Sequence, residues 1–80
     1  MQIEVNGWKR GFRSISFIGL IRTAGVRKLG LAEAKKLVDE MLLGRSFTME
    51  FEGRADASRF VRAADELGAV TSWPAEHEHS

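Results

Sequence analysis

The chain has 80 residues, 12 Lys and Arg against 11 Asp and Glu, and no cysteine. One small domain is expected, burying roughly 60–65% of the surface its unfolded chain exposes. Disulfides, thiolate metal sites and cysteine catalysis are excluded; no apolar run approaches the roughly 18 residues of a membrane span, and no signal peptide opens the chain, so a cytoplasmic protein is expected.

Charge is unevenly spread. Residues 1–45 carry nine Lys and Arg against four acids, and residues 46–80 carry three against seven, giving +5 and −4. An excess of cations in the first half favours an acidic partner there. Solvated helix faces that compensate one another in the fold are the plainer reading.

Residues 2–6 alternate, with Ile3 and Val5 on one side and Gln2, Glu4 and Asn6 on the other, as in a half-buried strand. Asn6-Gly7 reads as a turn, and Gly11 as a second break. A return arm over 8–13, where Trp8, Arg10 and Phe12 also alternate, is the lesser alternative to a plain loop. Ser14 can cap a helix running to Ala24, closed by Gly25 in the left-handed conformation. Phe17, Leu20, Ile21 and Ala24 make the core stripe of that helix. Ile15 and Ile18 then point to a second face. Gly19 inside the helix costs about 1 kcal/mol relative to alanine, which implies a close approach to the backbone there.

Gly30 precedes a second helix over 31–43, with Leu31, Ala34, Leu37, Val38, Met41 and Leu42 inward and Glu33 suited to the positive end of the helix dipole. Residues 46–52 alternate as a strand with Phe47, Met49 and Phe51 on its apolar side. A third helix over 54–67 buries Ala57, Phe60, Val61, Ala64 and Leu67, and Gly68 closes it. Residues 69–73 form a short last strand before Pro74 and a polar tail over 74–80. The fold expected is α+β: a two-layer β-α-α-β-α-β domain over 1–73, its three-stranded sheet covered on one face by three helices. Ile3, Val5, Phe17, Ile21, Leu37, Val38, Phe47, Met49, Phe51, Phe60, Val61 and Leu67 should share its core.

The stretch Leu29-Gly30-Leu31-Ala32-Glu33-Ala34-Lys35-Lys36-Leu37-Val38 joins a helix entry to a stiff amphipathic helix. It resembles the C-terminal domain of the bacterial large-subunit ribosomal stalk protein, whose fold is similar to that of the protease adaptor ClpS. Asp56-Ala57 and Glu66-Leu67-Gly68-Ala69 extend the likeness. The resemblance implies a docking module without catalytic chemistry, whose first helix and the start of its second capture translation GTPases. Matching Ile21-Arg22 to the family's Val-Arg pair puts Ile15 and Ile18 on its exposed aliphatic positions and Arg22 on its arginine. Lys35 falls on the lysine of the Glu-Ala-Lys segment, whereas Ser14 and Gly19 replace two lysines. The family's dimerisation segment and hinge are missing, so a stand-alone relative is expected. ClpS would need an acidic cluster where this chain reads Gly7-Trp8-Lys9-Arg10-Gly11.

The candidate partner surface is therefore Ile15, Ile18, Gly19, Arg22 and Lys35, aliphatics with a cationic rim. The partner expected is a protein with an acidic surface, a translation factor being the one the resemblance implies. Nucleic acid is the lesser alternative, held by Lys9, Arg10, Arg13, Arg27, Lys28 and Lys36 with Trp8 and Phe12 available to stack. A small inhibitory or self-associating protein on the same scaffold is a third class. No enzyme, cofactor or membrane partner is expected, and the oligomeric state is a monomer or weak homodimer. Glu33, Asp39 and Glu40 have no histidine or serine to work with, and His77 and His79 fall short of the four ligands a structural metal site needs.

Overall fold

The computed structural model describes residues 1–73. The tail 74–80, with its two histidines, lies outside the described residues. The elements are β1 (Gln2–Trp8), α1 (Ser14–Ala24), α2 (Leu31–Leu42), β2 (Phe47–Glu50), α3 (Arg54–Glu66) and β3 (Ala69–Ser72). The sheet is antiparallel in the order β2-β1-β3. Ile3 pairs with Met49, and both are buried, whereas the alternate pairs Gln2–Glu50 and Glu4–Thr48 are exposed. One face is apolar and the other polar, so the three helices share one side. The α+β architecture is the expected one.

Several local expectations need correction. Asn6-Gly7 is not a turn: β1 continues through it to Trp8, with a register shift between Val5 and Gly7. The extra residue changes the phase of the strand. Trp8 consequently pairs with buried Ala69, and the turn comes later, where the Phe12 amide donates to the Lys9 carbonyl at 3.1 Å. A plain loop follows.

Ser14 is the first helical residue, and Arg13 holds the cap position without a side-chain bond. Gly25 is extended (φ −90°, ψ −179°), not left-handed. Its role is close packing. A Cβ there would lie 2.9 Å from the Glu50 carbonyl oxygen, and the next amide, Val26, donates to that same carbonyl at 3.0 Å. The close approach expected at Gly19 is absent, since nothing lies within 4 Å of a Cβ built there. In α2 the Ala, Leu, Lys and Glu content favours helix. Its end is closed by Gly44 at φ 94°, with Gly44 donating to Met41 and Arg45 to Glu40. That pair of bonds satisfies the last carbonyls of the helix.

The core contains Ile3, Val5, Phe17, Ile21, Val38, Met49, Phe51 and Phe60 as expected, with Leu29, Ala34, Met41, Ala57, Ala64 and Ala69. Leu37, Phe47, Val61 and Leu67 are partly buried at its margin. Leu31 and Leu42, expected inward, are exposed. They lie on one edge of the α2 stripe, beyond what the sheet and α1 cover. No polar or charged side chain is buried among the described residues.

Three outcomes follow from this packing. Phe51→Ala should cost about 3–5 kcal/mol in chemical denaturation, against a total of roughly 4–12 kcal/mol for a chain of this size. Gly19→Ala should stabilise by about 0.5–1 kcal/mol, while Gly25→Ala should destabilise, because the Glu50 carbonyl must move. At the sheet edge, the Met1 amino group donates to the exposed Glu50 carboxylate at 3.1 Å and holds its pKa below the usual range, with help from Gln2. A lowered folded pKa means a contribution present above the unfolded value and lost as pH falls through the folded one. Acid titration of Glu50→Gln should lack that step.

Candidate functional site

Helical spacing returns Ile15, Ile18 and Arg22 to one side of α1. Ile15 is 84% exposed. Gly19 and Arg22 are also exposed, and Arg22 has no ion-pair partner among the described residues. Ile18 differs from its neighbours, being half-buried and packed against the core. Leu20 and Ala24, on the opposite flank of α1, line a groove of about 430 Å³ shared with Phe60 and Ala63 of α3. The Ile18–Arg22 flank therefore looks away from α3.

Lys35 stands on α2 and bonds Asp39 at 2.8 Å, one turn further along. Its helical flank is shared with Leu31 and Leu42, at steps of four and seven residues. The other flank of α2, with Glu33 and Leu37, lines a 210 Å³ pocket with Arg27, Leu29, Met49 and Glu50. The Leu31–Lys35–Leu42 flank thus lies on the opposite side of α2, and α1 packs against α2. Leu31 is 59% exposed. These two leucines were missed as surface residues because periodicity alone places them with the core stripe.

The electrostatics are simple. Arg27 pairs with Glu33 and Arg59 with Asp56, while Lys9 holds Asp65 at 2.7 Å. All these pairs are largely exposed, so each contributes little, of the order of 0–1 kcal/mol. Among the described residues no group of three His, Asp or Glu could hold a metal ion, and no helix is long and apolar enough to cross a membrane.

The basic residues weighed for nucleic acid do not gather. Lys9, Arg10 and Arg13 follow the C-terminal end of β1, where the Lys9 amide meets the Gly68 carbonyl. Arg27 and Lys28 follow Val26, which is bonded to Glu50, and Glu50 pairs with Gln2 at the start of β1. The two groups sit at opposite ends of a seven-residue strand, about 20 Å apart at the rise of an extended chain. Phe12 is packed edge-on against Phe17, with ring centres 5.5 Å apart, and is only partly exposed.

No family model, curated protein or solved structure matches the chain. These comparisons do not bear on the expected resemblance to the stalk domain, which rests on Leu29–Val38, Asp56-Ala57 and Glu66–Ala69 of the sequence.

Ile15→Asp should leave stability within about 0.5 kcal/mol, as for a surface change. Ile18→Asp should cost more, because it places a carboxylate against the core margin. Paired denaturation curves of the two variants would separate the exposed isoleucine from the packed one.

Proposed function

We propose that this domain is a non-catalytic protein-docking module, similar in kind to the ribosomal stalk C-terminal domain. Its surface is Ile15, Ile18, Gly19, Arg22 and Lys35, extended by Leu31 and Leu42. The observation that carries this reading is Ile15, almost fully in water, on the same helical side as Arg22, which has no ion pair among the described residues. An exposed aliphatic has no role in the core, whereas in an interface its burial against a partner is favourable. Arg22 and Lys35 supply orientation, since cations at a rim steer an acidic partner more than they hold it. Gly19 has open space above it, which lets a partner backbone come close to α1.

The partner is a protein presenting an acidic helix or loop. The resemblance points to a translation GTPase, and the surface chemistry is compatible with that choice. A patch of this size gives weak binding, on the order of micromolar, since small interfaces lie at the transient end of the range.

Titration of a purified translation GTPase into the isotopically labelled chain would test the identity of the partner. Resonances of Ile15, Ile18, Arg22 and Leu31 should shift, and Ile15→Asp should abolish the shifts without loss of fold. A pull-down from cells, compared between wild type and the Ile15→Asp, Arg22→Glu double variant, tests the surface without assuming the partner. Identical capture by both would remove α1 from the interface.

A further inference from the structure

We infer that the end of the molecule where β1 leaves the sheet docks on an anionic lipid surface. Three chain reversals meet there. Val5 pairs with Phe47 and Trp8 with Ala69, so the α2–β2 and α3–β3 turns lie level with the end of β1. The Lys9 amide donates to the Gly68 carbonyl at 2.7 Å and the Arg13 amide to the Leu67 carbonyl at 2.9 Å, tying the β1–α1 loop to the α3–β3 turn. Gly11, Gly44 and Gly68, the positive-φ residues of the described chain, belong one to each of these turns. Tight reversal leaves the flanking side chains at the tip.

Those side chains are of two kinds. Leu43 is 77% exposed and Trp8 49%, with Leu42 and Ile15 beside them in the adjoining helix ends. Arg10, Arg13 and Arg45 are exposed and carry no ion pair among the described residues. Lys9 is engaged by Asp65. Among the described residues the other carboxylates of this end are Glu40, in the last turn of α2, and Glu66, which lines the α1–α3 groove.

This mixture selects its occupant. A second copy of the same end would bring the arginines of both copies together, which like charge disfavours. Nucleic acid would use the arginines and stack on Trp8, yet leave Ile15, Leu42 and Leu43 in water. A lipid headgroup layer accepts both kinds. An indole settles at headgroup level, aliphatic side chains reach the acyl boundary, and arginines meet anionic headgroups with their stems lying on apolar surface. Such docking lies on the bilayer, so it needs no membrane-crossing helix. It is separate from the protein-docking reading, sharing only Ile15 and Leu42, and the test therefore leaves both untouched.

Trp73→Phe leaves Trp8 as the one indole of the chain and serves as the parent. Vesicles of phosphatidylcholine, with or without phosphatidylserine, are titrated in and both co-sedimentation and indole emission are read. The expected result is binding to the phosphatidylserine vesicles with a blue shift of Trp8. Leu43→Asp should weaken binding tenfold or more. Each of Arg10→Glu and Arg45→Glu should weaken it by at least about five-fold, the value of one basic residue near an anionic surface. Circular dichroism melts establish that the variants fold, and Leu43→Ser replaces Leu43→Asp if the latter does not. Equal binding to both vesicle types, or binding without a Trp8 shift and indifferent to Leu43, overturns the inference. So does concentration-dependent self-association abolished by Leu43→Asp, or retardation of nucleic acid at salt where vesicles are not bound.

Discussion

Four phenylalanines in edge and tilted contact run through the domain, and the helices are seated around them. Phe12 meets Phe17 at 5.5 Å, Phe17 meets Phe60 at 6.2 Å, and Phe60 meets Phe51 at 5.0 Å between ring centres. They belong to the β1–α1 loop, α1, α3 and the residue after β2, so the chain of rings joins both ends of the sheet through two helices. Ala34, Ala57, Ala64 and Ala69 are buried around them, and small side chains let the helices approach the sheet. Among the described residues no buried polar side chain adds direction to this core. Orientation comes from shape, from ring geometry and from the glycines that fit where backbones nearly touch. At Gly68 a Cβ would stand 2.9 Å from Phe12 Cα, and its φ of 93° is one that other residues rarely adopt.

Because the core is complete with one stripe of each helix, the surplus apolar residues are informative. The core uses Phe17 and Ile21 of α1 fully and Ile18, Leu20 and Ala24 partly, which leaves Ile15 without an internal partner. In α2, Ala34, Val38 and Met41 are buried and Leu37 partly so, leaving Leu31 and Leu42. A scattered exposed leucine is ordinary on a protein surface. The surplus here is ordered, on neighbouring flanks of two packed helices and around three turns at one end.

Much of the architecture was legible in period alone. The alternation of Ile3 with Val5 and of Phe47 with Met49 marked strands, and the spacing of Phe60 and Ala64 marked the inner face of α3. The errors came where tertiary contact overrode a local preference. Asn6-Gly7 favours a turn in isolation, but pairing of Gly7 and Trp8 with β3 keeps it extended and turns the extra residue into a bulge. Gly19 and Gly25 exchanged roles, because which glycine meets another backbone is set by the path of the chain between α1 and β2. Leu31 and Leu42 share an edge of the α2 stripe with Lys35, and only the position of α1 decides how wide that stripe is. Ile15 could be recognised as surplus from spacing. Trp8 and Leu43 could not, since their exposure depends on where β1 and α2 end.

The same distinction bears on charge. Among the described residues, Met1–Glu50 and Lys9–Asp65 join the basic first half to the acidic second half, while Arg27–Glu33, Lys35–Asp39 and Arg59–Asp56 pair within a half. Folding therefore cancels little of the asymmetry by direct contact. Of the eight Lys and Arg side chains without an ion pair among the described residues, Arg10, Arg13, Arg22 and Arg45 belong to α1 and to the turns at the end of β1, where the surplus apolar residues also lie. Exposed cations, screened by solvent, bring little affinity by themselves. Next to aliphatic surface they discriminate, drawing in anionic partners and resisting contact between identical surfaces. Position beside apolar surface, more than net charge near zero, decides what such a small domain can hold.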